Sequence, residues 1–184
     1  MTLLFVVRLK FPEFKKLANL LQRRSNDVTF YAASSRIISF GSAMKIKKIL
    51  VTGGTGLVGK KLCALLKKEG YEVSILSRSK NPNSPYPTFT WDYQSGHLEA
   101  GTFEGVDTII HLAGAGVADK RWSAERKKVI LESRTMTSQL LYDQLKSTPN
   151  QVKTIIAASA IGIYGIENSA DSMTEESLVG TDYL

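Results

Sequence analysis

From residue 46 onward, short apolar runs alternate with longer segments whose apolar residues recur at helical spacing. The runs predict strands near 46–52, 72–77, 88–91, 106–112 and 153–159. Between the first two, Val58, Leu62, Leu65 and Leu66 recur at i, i+4, i+7 and i+8, predicting an amphipathic helix that ends at Gly70. A second helix is predicted from about Ser123, a suitable N-cap, to Lys146, with Ile130, Leu140, Leu141 and Leu145 as its core contacts. Asn81 to Pro87 holds three prolines and is expected to be loop. Strands alternating with helices imply an α/β domain built on a parallel sheet.

The pattern begins abruptly. Before Met44 the chain is irregular and basic; after it comes Lys45-Ile46-Lys47-Lys48-Ile49-Leu50-Val51, a buried strand with a charged lead-in. Residues 1–43 admit three readings: a genuine extension, an organelle presequence, or sequence from an upstream start that does not belong to the fold. The third is adopted as the expectation, so the domain is taken as 44–184. No positively charged start followed by an apolar stretch and a small-residue cleavage site marks a secretory signal.

Charge follows the same division. The chain of 184 residues carries +7, but Arg8, Lys10, Lys15, Lys16, Arg23, Arg24 and Arg36 against Glu13 and Asp27 place +5 of it before Met44. The remaining 141 residues carry +2 and show no basic stripe interleaved with aromatics, so a nucleic-acid partner is not expected. The longest N-terminal apolar stretch, Leu3 to Val7, falls far short of the ~20 residues a membrane helix needs, so no membrane partner is expected either. A single cysteine, Cys63, allows no intrachain disulfide, and no cluster of histidines or cysteines suggests a metal. A reducing, cytoplasmic location is the expectation.

The chemistry concentrates where the first strand enters the first helix. Thr52-Gly53-Gly54-Thr55-Gly56-Leu57-Val58-Gly59 spaces its glycines as GxxGxxG. Gly53 permits a tight turn, Gly56 admits a pyrophosphate close to the backbone, and Gly59 lets the helix pack on the strand. The helix N-terminus supplies N–H groups and a favourable dipole for the phosphates. A glycine triplet alone would be weak support; the strand before it and the amphipathic helix and strand after it supply the context the motif requires. At the tip of the second strand an acid would bond the adenosine ribose and repel a 2′-phosphate, but the chain reads Ser77-Arg78-Ser79-Lys80. Arg78, 19 residues beyond Gly59, can take a 2′-phosphate bidentately, with Ser77 or Ser79 donating a hydroxyl. NADP is therefore expected as cofactor over NAD. Charge-assisted bonds of about 1.5–3 kcal/mol correspond to a preference of roughly tenfold or more.

The TGxxGxxG turn resembles that of the extended short-chain dehydrogenase/reductases. A narrower resemblance, to their atypical "epimerase family protein" subgroup, rests on His111 to Trp122 (HLAGAGVADKRW), Glu132-Ser133-Arg134, and Ala158-Ser159-Ala160-Ile161-Gly162-Ile163-Tyr164-Gly165. The resemblance implies a Rossmann-type doubly wound parallel sheet and an oxidoreductase or epimerase acting by hydride transfer on an alcohol, carbonyl or sugar-nucleotide-like substrate. It places Leu112 and Ala113 along the adenosine side of the cofactor and brings Arg134 to it from the long helix. It sets Asp92 near the adenine amine, makes Ser159 the catalytic serine and puts Tyr164 beside the substrate. Trp122 either packs beneath its loop or borders the substrate pocket. Tyr183 is the catalytic tyrosine by position, with no lysine four residues later. The YxxxK at Tyr142–Lys146 precedes the serine strand and is read as exposed helix. The family's later strands and substrate-binding part would follow Leu184, so the domain is expected to be incomplete. A non-catalytic NADP(H)-binding or redox-sensing module, or an inactive fragment, stay open as alternatives, as does the oligomeric state.

Overall fold

Strand β2 (Lys48–Thr52) is buried from Ile49 onward, and its residues alternate between two cores. Ile49 and Val51 join Cys63, Val73, Ile75 and Ile110 on one side of the sheet. Leu50 joins Leu76, Ile109, Ile155, Leu140, Leu141 and Leu145 on the other. A strand covered on both faces cannot alternate apolar with polar, which is why these segments read as continuous apolar runs. The computed structural model in which this is seen describes residues 5–9 and 48–159.

In chain order the elements are β1 (Phe5–Leu9), β2, α1 (Leu57–Lys68), β3 (Glu72–Ser77), β4 (Thr88–Asp92), β5 (His97–Leu98), β6 (Thr108–His111), α2 (Ala124–Ser147) and β7 (Thr154–Ser159). They form a seven-stranded sheet in the order β1-β7-β6-β2-β3-β4-β5. The five central strands are parallel, and the two edge strands are antiparallel to their neighbours. Leu62 and Leu66 of α1 pack on the first core, while Leu140, Leu141 and Leu145 of α2 sit within the second. Helices on both faces of a parallel sheet make this a Rossmann-type, doubly wound α/β fold.

The predicted strands and helices all form, with ends shifted by a few residues at most. Helix α2 starts at the expected N-cap, where the Ser123 hydroxyl accepts from the Arg126 amide at 3.2 Å. The apolar face of α1 is only half covered: Leu62 and Leu66 are partly buried, whereas Val58 and Leu65 are exposed. Tyr142, expected on the surface, packs against the core beside Leu141. Asp92, expected near an adenine, is exposed at the β4–β5 hairpin, where its carboxylate accepts from the Gln94 amide and the Ser95 hydroxyl.

Five residues of the segment expected to lie outside the fold belong to the sheet. Phe5–Leu9, apolar apart from Arg8, pairs with β7 from Phe5↔Ser159 to Leu9↔Ile155, filling the hydrogen-bonding edge that β7 presents. The expected boundary is amended at those residues. The rest of 1–43 lies outside the described residues.

Candidate functional site

Parallel strands bring their C-terminal ends to one edge of the sheet, and the register shows which residues meet there. Thr52 pairs with Leu76 on β3 and with His111 on β6, and His111 pairs with Ala157 on β7. One step past that row, side by side, lie the glycine turn after Thr52, Ser77 and Arg78 after Leu76, Leu112 and Ala113 after His111, and Ser159 two residues beyond Ala157. The expected cofactor and serine positions are thus gathered on one edge, across four adjacent strands.

Each glycine of the turn has its own surroundings. Gly53 adopts φ of 70°, in the left-handed region, and a Cβ there would stand 2.9 Å from the Leu112 carbonyl carbon. At Gly59 a Cβ would run into the Gly53 carbonyl oxygen and come within 2.7 Å of the Gly54 Cα, so this residue lets α1 sit directly on the turn. Gly54 is buried against Ile75. Gly56 is exposed, and a Cβ there would meet only the Gly53 carbonyl oxygen, at 3.3 Å. Thr55, Leu57 and Val58 are exposed beside it.

Helix α1 begins at Gly56 with no side-chain cap and no acid in its first turn. Its first N–H groups therefore have no intrahelical or side-chain partner. Helix α2 is the contrast, with the Ser123 cap and Glu125 in its first turn. An uncapped helix start beside an open glycine suits the pyrophosphate of a dinucleotide. Ser77 is half-buried and Arg78 exposed at the neighbouring strand tip. Lys80, two residues on, is held by Glu99 at 2.7 Å. Glu99 also accepts from the amide and hydroxyl of Thr90, and these bonds hold its carboxyl down at about 2.

The chain between β6 and α2 is tied down by the helix that follows it. The Ala115 amide donates to the Ser133 hydroxyl at 2.9 Å, and Arg134 Nη1 donates to the carbonyls of Ala115 and Ile130 at 3.2 and 3.0 Å. Gly114 leaves room for that guanidinium, since a Cβ would be 3.1 Å from Arg134 Cζ. Arg126 donates to the Gly116 carbonyl and lies 3.5 Å from Asp119. Trp122 Nε1 donates to the Val117 carbonyl at 2.8 Å, while its side chain stays exposed. Arg134 thus lies beside the chain that continues Leu112 and Ala113.

Beneath this edge is a buried polar cluster that includes Thr52, expected as part of the cofactor turn, together with His111, Thr137 and Ser138, for which the sequence suggested no role. Thr52 Oγ1 accepts from the amides of Leu112 and Ala113 at 3.2 and 3.1 Å and lies 2.7 Å from His111 Nδ1. The far side of the imidazole faces Thr137 and Ser138 of α2. Burial first, and the Arg134 charge second, push the His111 pKa down to about 4. The one sequence signal was a histidine closing the otherwise apolar strand Thr108-Ile109-Ile110. Arg126 and Glu99 went unnoticed too, because their partners are set by loops. Strand β7 ends at Ser159. Tyr164 and Tyr183 lie outside the described residues.

Among the described residues no cluster could hold a metal, and no helix is long and apolar enough to cross a membrane. The doubly wound sheet, the uncapped glycine turn and the strand tips around it define a dinucleotide-binding domain of the Rossmann type. More particularly, the profile of the NAD dependent epimerase/dehydratase family matches residues 49–183, and the chain belongs to that family. The family is nicotinamide-dinucleotide dependent. An epimerase family protein of Staphylococcus aureus strain NCTC 8325 is 34% identical over 119 residues, 65% of this chain and 39% of that protein. The chain therefore spans well under half the length of the curated relatives it matches. A nucleoside-diphosphate sugar epimerase from Corynebacterium glutamicum superposes with a TM-score of 0.60 at 32% identity, over 76% of this chain and 28% of the other. UDP-N-acetylglucosamine 4-epimerase from Bacillus cereus gives 0.54 at 26% identity, over 73% and 46%.

Proposed function

We propose that this chain is the NADP(H)-binding part of an epimerase or oxidoreductase of the extended short-chain dehydrogenase/reductase type. Its substrate is an alcohol, a carbonyl compound or a sugar nucleotide. The observation that carries the reading is the register of the sheet. It sets the uncapped glycine turn, Arg78, the Leu112–Ala113 segment and Ser159 along one edge, in the order a bound dinucleotide and its substrate would need. The likeness to two sugar-nucleotide epimerases supports the substrate class.

In this reading the first amides of α1 hold the pyrophosphate. Arg78, with Ser77, holds the 2′-phosphate that distinguishes NADP from NAD, and no carboxylate at the strand tip opposes it. Leu112 and Ala113 border the adenosine side, where the bonds to Thr52 fix the backbone. The bound nicotinamide supplies hydride transfer. Ser159, at the end of β7, orients the substrate hydroxyl or carbonyl by a hydrogen bond, and Tyr183 acts as the proton-transferring group.

Titrating the full chain with NADPH while following nicotinamide fluorescence tests the cofactor reading. Saturable binding is expected, and its absence from a folded sample would sink the reading. A Ser159→Ala variant of a longer, active form should lose most turnover at little cost to NADPH binding. Undiminished turnover would remove Ser159 from the mechanism.

A further inference from the structure

The buried cluster at His111 constrains where its protons sit. A hydroxyl has two lone pairs and one hydrogen. At Thr52 the Ala113 amide donates to Oγ1, and the Leu112 amide is shared between Oγ1 at 3.2 Å and the Thr52 carbonyl at 3.1 Å; with amides approaching both lone pairs, the hydroxyl hydrogen is directed at His111 Nδ1, 2.7 Å away. Nδ1 is then an acceptor, and the ring proton sits on Nε2. That nitrogen faces Thr137 Oγ1 at 3.4 Å and Ser138 Oγ at 3.3 Å. Thr137 Oγ1 lies 2.7 Å from the Ser133 carbonyl and 3.1 Å from that of Arg134, so its own hydrogen is engaged there and its oxygen is left to accept.

The Nε2–H form gives Thr52 Oγ1, His111 Nδ1 and Thr137 Oγ1 complementary partners. The Nδ1–H tautomer would point two donors at one another across 2.7 Å unless the Leu112 amide fell back on the Thr52 carbonyl and the Thr52 hydroxyl hydrogen turned away from the ring. The imidazolium meets the same conflict in a buried place near the Arg134 guanidinium, whose positive charge opposes it further. The edge of Trp91 or of the imidazole meets the other ring's face at 6.2 Å, closing the remaining side with apolar surface.

We propose that His111 is a positioning residue, locked as the neutral Nε2–H tautomer, through which helix α2 sets the backbone of Leu112 and Ala113 beside the glycine turn. The link is continuous: helix backbone, Thr137 hydroxyl, imidazole, Thr52 hydroxyl, then the two amides. It joins β2, β6 and α2 at the row where the strands end. Ser133 adds a second tie four residues from Thr137, at the Ala115 amide. The consequence for binding rests on the cofactor reading above; the placement of the protons does not.

The test uses the full chain, uniformly labelled with 15N, with the chain's other histidine, His97, identified through a His97→Gln control. Near neutral pH the His111 nitrogens should show an acceptor-type Nδ1 and a protonated Nε2, with slow amide exchange at Leu112 and Ala113. A protonated Nδ1, or a rapid mixture of tautomers, would overturn the proposal. Thr52→Val should free the imidazole from a single tautomer, speed exchange at both amides at least tenfold and weaken NADPH binding at least fivefold. Thr52→Ser, which keeps the hydroxyl, should restore all three. Thr52 is fully buried, so these effects cannot come from a lost contact with the cofactor. If Thr52→Val kept native tautomer and exchange rates, the proposal would fail. If it did not fold, the wild-type tautomer would still decide. Absence of NADPH binding by a wild-type chain that has the expected tautomer and slow exchange would count against the cofactor reading alone.

Discussion

Two glycines three residues apart in the turn should respond in opposite ways to the same methyl group. At Gly59 an added Cβ meets only backbone: the Gly53 carbonyl, and the Gly54 Cα at 2.7 Å. No rotamer relieves that, so α1 has to move off the turn. Overpacking of this kind costs about 1–3 kcal/mol and sometimes more. Alanine in place of glycine inside a helix returns up to about 1 kcal/mol. The clash wins because the obstructing atoms are fixed, and we expect Gly59→Ala to lose about 2 kcal/mol or more. At Gly56 the backbone, φ −75° and ψ 176°, suits alanine, and the methyl meets only one carbonyl oxygen at 3.3 Å. Its folding cost should be no more than about 1 kcal/mol, as for other N-cap substitutions by alanine. The methyl would instead stand in the open space where the pyrophosphate approaches, and NADPH binding should weaken tenfold or more, about 1.4 kcal/mol. Urea denaturation followed by circular dichroism, together with NADPH titration of each folded variant, separates the two. A Gly59→Ala variant with the wild-type midpoint and slope would refute the close-packing argument. A Gly56→Ala variant binding NADPH normally would refute the placement of the phosphates.

Arg78→Ala should weaken NADPH binding about tenfold or more and leave NADH binding nearly unchanged; equal losses for both would exclude a 2′-phosphate contact. His111 makes stability depend on pH. The unfolded chain binds the proton near 6.5 and the folded one only near 4, so this stabilisation is complete above pH 6.5 and declines as pH falls toward 4, by about 3 kcal/mol in all. Denaturant midpoints between pH 7.5 and 4.5 should fall more steeply for wild type than for His111→Gln, and parallel profiles would contradict the buried neutral imidazole. Ser123→Ala should cost about 1 kcal/mol by removing the α2 cap, read from the same denaturation curves. Glu99→Gln should release Lys80 and speed hydrogen exchange at the Thr90 amide, and unchanged exchange there would show that the carboxylate does not hold β4.

The parts legible in the sequence were those whose causes are local. Ile49 to Thr52, Val73 to Leu76 and Thr108 to His111 are buried throughout because both faces of each strand are covered, and the Ile, Leu and Val that dominate such runs can be read from the sequence. The glycine turn was legible because the left-handed φ of Gly53 and the contact of Gly59 with Gly53 and Gly54 arise within the turn itself. Strand β5 was missed because it is two residues long and depends on the turn at Gly96, whose φ is 73°. Strand β1 was missed because its partner is β7, some 150 residues away, and nothing within Phe5–Leu9 points to it. The bonds of Asp92 are as local as the turn: its partners, Gln94 and Ser95, are its immediate neighbours, a common setting for an aspartate at a hairpin.

Helix α2 shows why a site can be hidden in a segment whose secondary structure is easily predicted. Its C-terminal half presents Leu140, Leu141 and Leu145 to the core and reads as amphipathic. Its middle does not, because the face turned to the sheet there carries Ser133, Thr137 and Ser138, all buried. Leucines at those positions would remove the acceptors for the Ala115 amide and His111 Nε2 and leave buried polar groups unpaired, at about 1–3 kcal/mol each. The break in the helix pattern thus coincides with the level at which β2, β6 and β7 end and the dinucleotide turn begins. A weak hydrophobic period in an otherwise sound crossover helix marks where the helix stops serving the core and starts holding the edge of the sheet. In this chain, that level carries the residues on which the proposed cofactor site depends.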